Sequence, residues 1–303
     1  MDSRKSGSTT ERPPLLDDGF LAKIQRLSLV SRKTVSGSVR GERRSRRRGF
    51  STEFADYRDY VAGDDLRYLD WNIYGRLDRL FVKLFHEEED LTVSILVDVS
   101  KSMATGRPEK LFYALQVAAA LSYIGLVAED RVGVYPFSNE LHAPFRPVRG
   151  KRNAPRLFRF LQSVPVGQHT DLERSLRAFA HAFVRRGLVI LISDLLDPSG
   201  FEGPLRHITA RSVETHLIHV LSPEEVDPEL VGDLRLVDCE DDSIVEVSLN
   251  RRLLEAYRES VAGFRSAVQH RASQRGVSPL FATTDVPFDH LVLGYLRKRG
   301  LLG

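Results

Sequence analysis

Apolar positions follow two alternating rhythms from position 91 onward. Short runs rich in β-branched residues occur at Thr92 to Val97, Arg131 to Phe137, Leu188 to Ile192 and Glu214 to Leu221. They have the near-continuous apolar character of strands covered on both faces. Helical patterns separate them, over Pro108 to Ala128, Ala154 to Ser163 and Asp171 to Arg186. In the last of these Leu172, Leu176, Phe179 and Phe183 share one face. This alternation predicts an α/β fold: a doubly wound, mainly parallel sheet with helices on both faces. An edge strand is expected through Glu140 to Phe145, and further strands near Leu234 to Asp238 and Pro279 to Thr283. Asn250 to Gln274 reads as a long amphipathic helix, and Phe288 to Arg299 as a closing one.

The N-terminal third is patterned differently. Residues 1–12 are polar and read as a disordered tail. Phe20, Ile24 and Leu27 mark a helix within Leu16 to Val30, and the Gly, Ser and Arg residues of Ser36 to Arg48 form a loop. From Phe50 to Phe85 aromatic and charged residues alternate, which predicts short strands and turns anchored by Tyr57, Tyr60, Tyr68, Trp71, Tyr74 and Phe81. Asp64, Asp65, Arg67 and Asp70 are expected to form an ion-pair network fixing this segment to the main domain. The resulting division is a tail at 1–12, an N-terminal segment at 13–90, an α/β domain at 91–240 and a C-terminal helical extension at 241–303. The chain shows no internal repeat.

Composition narrows the class. The 303 residues suffice for a proper core, and 42% hydrophobic with 28% charged content is ordinary for a globular protein. A net charge of +3 does not by itself argue for nucleic acid. One cysteine, Cys239, precludes an internal disulfide and fits a reducing, cytoplasmic setting; it is expected to be a small buried hydrophobe. No secretory signal is expected, because the first 20 residues are polar and mixed in charge. Leu111 to Ala128 is 18 residues without a charge, but Gln116, Ser122, Tyr113 and Tyr123 dilute it. It is read as a core helix, with no membrane span expected.

Candidate chemistry gathers where strands end. Asp98-Val-Ser100-Lys-Ser102 follows the first strand, Ser193-Asp194 follows the third, and Thr170 opens a helix between them. Alternate residues of an extended Asp-x-Ser-x-Ser face one way, and an α/β sheet gathers its strand ends at one edge, where ligands bind. Oxygen ligands of this kind suit a hard cation such as magnesium. Thr170-Asp-Leu-Glu173 also has the form of a capping box, so Thr170 has a structural role open to it as well.

In order and spacing, Asp98, Ser100, Ser102, Thr170 and Asp194 resemble the metal-ion-dependent adhesion site of von Willebrand factor A domains. Upstream, Ser51-Thr-Glu-Phe-Ala-Asp-Tyr-Arg58, Tyr60, Gly63-Asp-Asp-Leu-Arg67 and Leu69-Asp-Trp71 are similar to the hallmark stretch of the family called domain of unknown function fifty-eight. Its members carry such an A-like domain, here at 91–240. The resemblance implies that Ser100, Ser102 and Thr170 ligate Mg2+, with Asp98 and Asp194 holding it directly or through water. It implies a partner protein that offers an acidic residue to the ion. It also implies association with a MoxR-type AAA+ ATPase, and therefore a non-enzymatic adaptor role in remodelling or maturation of complexes.

Two other readings use the same residues or a separate run. Asp98 after the first strand has the position of a phosphatase nucleophile, although Ser100 stands where such enzymes carry a second acid. Arg43, Arg44, Arg46, Arg47 and Arg48 form a basic run able to meet a partner's acids or nucleic-acid phosphates. Without interleaved aromatics the protein partner is preferred. Gly-x-Ser-x-Gly, His-x-x-x-His and phosphate-loop patterns do not occur.

Overall fold

The computed structural model describes residues 13–27, 29, 53–86, 91–183, 187–209, 213–229, 232–240 and 243–296. The expected tail at 1–12, the run Arg43, Arg44, Arg46, Arg47 and Arg48, and Glu87 to Asp90 lie outside them. The chain forms two units, one within residues 32–90 and the other from 1–31 with 91–303. In chain order the elements are α1 (Asp18–Ile24), β1 (Glu53–Asp59), α2 (Trp71–Leu77), β2 (Phe81–His86), β3 (Thr92–Asp98), α3 (Lys110–Val127), β4 (Arg131–Phe137), β5 (Phe145–Val148), α4 (Ala154–Ser163), α5 (Leu172–Ala182), β6 (Leu188–Ser193), α6 (Glu202–Thr209), β7 (Glu214–Leu221), α7 (Pro223–Val226), β8 (Gly232–Val237), β9 (Ile244–Leu249), α8 (Arg251–Gln274) and β10 (Val277–Thr283).

The larger unit is a mixed α/β structure around a six-stranded sheet in the order β10-β7-β6-β3-β4-β5. All neighbours are parallel except β4 and β5. Strand alternation sends Val93, Ile95 and Val97 of β3, with Ile190 and Ile192 of β6, into a cluster that includes α1, α3 and α4 residues. Leu96, Val189 and Leu191 enter a second cluster with residues of α5, α6 and α8. Each central strand is therefore buried on both faces, which is why β3, β6 and β7 read as unbroken apolar runs. Helix α3, with Lys110 its one charged residue, is long and apolar enough to cross a membrane, but 83% of it is buried in this fold.

The edge strand begins at Phe145, later than the pattern suggested, because the chain first makes a lone bridge between Phe137 and Leu141. The strand expected near Leu234 does not join the central sheet. It is β8, which pairs antiparallel with β9 in a separate hairpin whose residues are mostly exposed. Cys239 accordingly lies exposed beyond β8, not buried. Within the segment 241–303, β10 supplies the far edge of the central sheet beside β7.

In the smaller unit β1 and β2 pair antiparallel and α2 starts at Asp70, whose carboxylate accepts from the Asn72 and Ile73 amides at 2.9 and 3.2 Å. Lys83 Nζ lies 2.9 Å from Asp70, and the Tyr57 hydroxyl donates to it at 3.1 Å. Arg58 pairs with Asp64 and Arg67 with Asp65, so these expected ion pairs form inside the unit. The aromatic anchors Tyr57, Tyr68, Trp71 and Tyr74 are exposed within it.

Candidate metal centre

From β3 the chain passes to β4 on one side of the sheet, while β6 joins β3 on the other. Ligand sites of α/β sheets lie at the carboxyl ends of strands where connections diverge in this way. Val97 of β3 lies opposite Ile192 of β6, which brings Asp98 and Ser193 side by side. Ser193 donates to Asp98 Oδ2 at 2.6 Å and accepts from the Leu195 amide at 2.9 Å. Asp194 Oδ1 accepts from the Leu196 amide at 3.1 Å, and His219 Nε2 donates to the Asp194 carbonyl at 2.9 Å. Leu195, between them, has a φ of 56°, an uncommon conformation for a branched side chain that these bonds hold in place.

The turn after β3 is held as firmly. Ser100 donates its amide to Asp98 Oδ1 at 3.0 Å, and the hydroxyls of Ser100 and Ser102 are 3.0 Å apart. Backbone bonds from Gly167 to Val99 (2.6 Å) and from Lys101 to Gln168 (3.0 Å) bring in the loop carrying Thr170. A side chain at Gly167 would place its Cβ 2.6 Å from Ser138 Cβ, so this close approach needs glycine. Asp171 is the N-cap of α5, accepting from the Arg174 amide at 2.8 Å. The N-cap is thus Asp171 and not Thr170, and the Thr170 hydroxyl bonds elsewhere.

Asp98, Ser100 and Asp194 are wholly inaccessible, and Thr170 and Ser102 nearly so. Burial, reinforced by the negative charge of Asp194, pushes the Asp98 carboxyl up to about 7 despite its bonds from Ser193 and Ser100. Lys110, also buried, lies 2.8 Å from Asp194 Oδ2 and pairs with Glu225. Burial alone would lower the Lys110 pKa, but attraction to Asp194 and Glu225 outweighs it and leaves it raised. Lys110 thus answers Asp194 and Glu225, and no cation pairs with Asp98 among the described residues.

That donor set fits a divalent hard cation. Two carboxylates and three hydroxyls supply oxygen alone, and Asp98 has no cation of its own among the described residues. Among the described residues no group of three or more His, Cys, Asp and Glu is placed to hold a metal. At the rim Thr170 donates its hydroxyl to Glu240 Oε1 at 3.2 Å and its amide to Oε2 at 3.3 Å.

The structure brings Asp98, Ser100 and Ser102 together beside Ser193-Asp194 and the loop of Thr170 against their turn, while Ser193, Lys110, Glu225 and Glu240 were not singled out by the sequence. Lys110 had a signal, as the lone charge at the head of an otherwise uncharged helix. Glu225 had another, since Ser222-Pro-Glu-Glu225 is a capping box and both of its bonds form. Glu240 had none, because its role depends on where an exposed hairpin folds back.

The model of the family described as "Protein of unknown function DUF58" matches residues 56–267. Uncharacterized proteins of Mycobacterium bovis and Mycobacterium tuberculosis are 27% identical over 315 residues, covering 100% of this chain and 99% of each relative. Among solved structures, an aerotolerance-related membrane protein from Bacteroides fragilis aligns with a TM-score of 0.46 at 16% identity, over 69% of this chain and 99% of that one. The conserved hypothetical protein BatB from Bacteroides thetaiotaomicron aligns at 0.43 and 14% identity, over 69% and 98%.

Proposed function

This chain belongs to the family described as protein of unknown function DUF58, and we propose that it is a non-enzymatic, metal-dependent adaptor that binds other proteins through a von Willebrand factor A-like unit. The observation that carries this reading is the Asp98 carboxylate, wholly buried beside Asp194 without a cation of its own, with the paired hydroxyls of Ser100 and Ser102 in the same turn. Ser100, Ser102 and Thr170 would hold a magnesium ion, with Asp98 and Asp194 holding it directly or through water. When bound, the ion supplies an electrophilic centre able to accept a carboxylate from another protein. Ser193 and the Ser100 amide orient Asp98, while Lys110 and the Leu196 amide orient Asp194.

An adaptor explains the chemistry better than a phosphatase does. Ser100 stands where such an enzyme carries its second acid, and a hydroxyl cannot serve as that acid. The family resemblance points to a MoxR-type AAA+ ATPase as partner, and the single cysteine, Cys239, fits a cytoplasmic setting. The test is affinity purification of the intact protein in magnesium against chelator, with Asp98→Ala in parallel. Partners lost in chelator and with Asp98→Ala support the reading. Partners unaffected by either, or magnesium-dependent phosphoester turnover that vanishes with Asp98→Ala, would reject it.

A further inference from the structure

The rim of the site is covered by an acid from the chain itself. β8 and β9 pair only with each other, and the turn beyond β8 carries Glu240 over Thr170. Three contacts fix it: the Thr170 hydroxyl and amide donate to the two carboxylate oxygens, and Lys101 Nζ lies 3.4 Å from the Glu240 carbonyl. The turn is preset from within, because the Glu240 amide donates to Asp238 Oδ1 at 2.7 Å. Lys101 and Thr170 belong to the two loops that hold Ser100, Ser102 and the head of α5, so a carboxylate gripped by them lies against the segments that carry the proposed ligands.

We infer that Glu240 is a resident ligand of this site, and that an acidic partner binds by displacing it. The inference rests on the metal-site reading above. Two physical arguments support displacement over permanent closure. A two-stranded hairpin outside the main sheet is marginally stable, so it is an element able to swing away at small cost. Its bonds to Thr170 and Lys101 are few and long, at 3.2 to 3.4 Å, so a partner need only outcompete a tethered carboxylate of millimolar effective concentration. The contacts also describe the partner. It presents an acidic residue in an extended or turn segment, whose carboxylate takes both Thr170 donors and whose own carbonyl takes Lys101.

The test uses the full chain and a blocked peptide of residues 236–240 with Cys239→Ser, added in trans and followed by fluorescence anisotropy. In magnesium, Glu240→Ala and Glu240→Gln should bind the peptide at least tenfold more tightly than the unaltered protein, with circular dichroism showing both folded. Glu240→Gln keeps the side-chain size, which separates loss of charge from collapse of the turn. Equal affinity for all three proteins, or no binding by any, overturns the inference. Each measurement is repeated in chelator, where tight binding by the variants should be lost. If the tenfold gain persists there, displacement stands and the metal reading beneath it fails.

Discussion

Asp70 and Asp98 are both almost shut off from solvent, yet they titrate in opposite directions. Lys83, the leading cause, and the amides of Ile73 and Asn72 hold the Asp70 carboxyl down at about 2. Burial and the neighbouring Asp194 push Asp98 up to about 7. Asp70 has its counter-charge inside the smaller unit. Asp98 does not, since Lys110 is committed to Asp194 and Glu225. A buried acid with its cation is architecture, whereas one without is, on the proposed reading, where a metal ion would bind.

The largest effect that would sharpen this contrast is removal of the ammonium. Lys110→Met leaves buried carboxylates without compensation and is expected to lower stability in urea unfolding by about 3–5 kcal/mol. Magnesium should recover part of the loss. Next is the response of the unaltered protein to magnesium. At about one hundred times its dissociation constant the ion should add about 2.7 kcal/mol, an increment that Asp98→Asn abolishes.

The pH dependence of the metal-free protein divides the two units. Because the Asp98 pKa is raised on folding, its favourable contribution is complete below about 4 and disappears as pH climbs through about 7. The Asp70 contribution is present above about 4 and disappears as pH drops toward 2. Circular dichroism follows the larger unit, and fluorescence of Trp71, the one tryptophan, follows the smaller. Parallel pH profiles for the two signals would break the comparison. Lys83→Met should remove the resistance of the smaller unit to acid and leave the larger unit unchanged. The smallest expected change is Thr170→Val, about 0.5–1.5 kcal/mol from lost hydrogen bonds, with loss of the magnesium response as its diagnostic.

Much of this was legible in the chain because burial on both faces leaves an unmistakable apolar run. Thr92 to Val97, Leu188 to Ile192 and Glu214 to Leu221 were readable as strands for that reason, and the acids and hydroxyls that follow them marked the sheet edge. The hairpin was not legible as such. Leu236, Val237, Ile244 and Val245 have strand chemistry, but they are exposed and face no second layer, so their pattern resembles a core strand that they do not form. The charge balance was also hidden. That Asp194 is neutralised from within and Asp98 is not depends on Lys110 reaching across 84 positions of sequence, which no local pattern records.

The most direct test is to titrate Mn2+ into chelator-treated protein at pH 7.5 and count bound ions by electron paramagnetic resonance, in the unaltered chain and in Asp98→Asn. The account requires one ion per chain, absent from Asp98→Asn and displaced by excess Mg2+. No bound ion in the unaltered chain, or an equal count in Asp98→Asn, would contradict it.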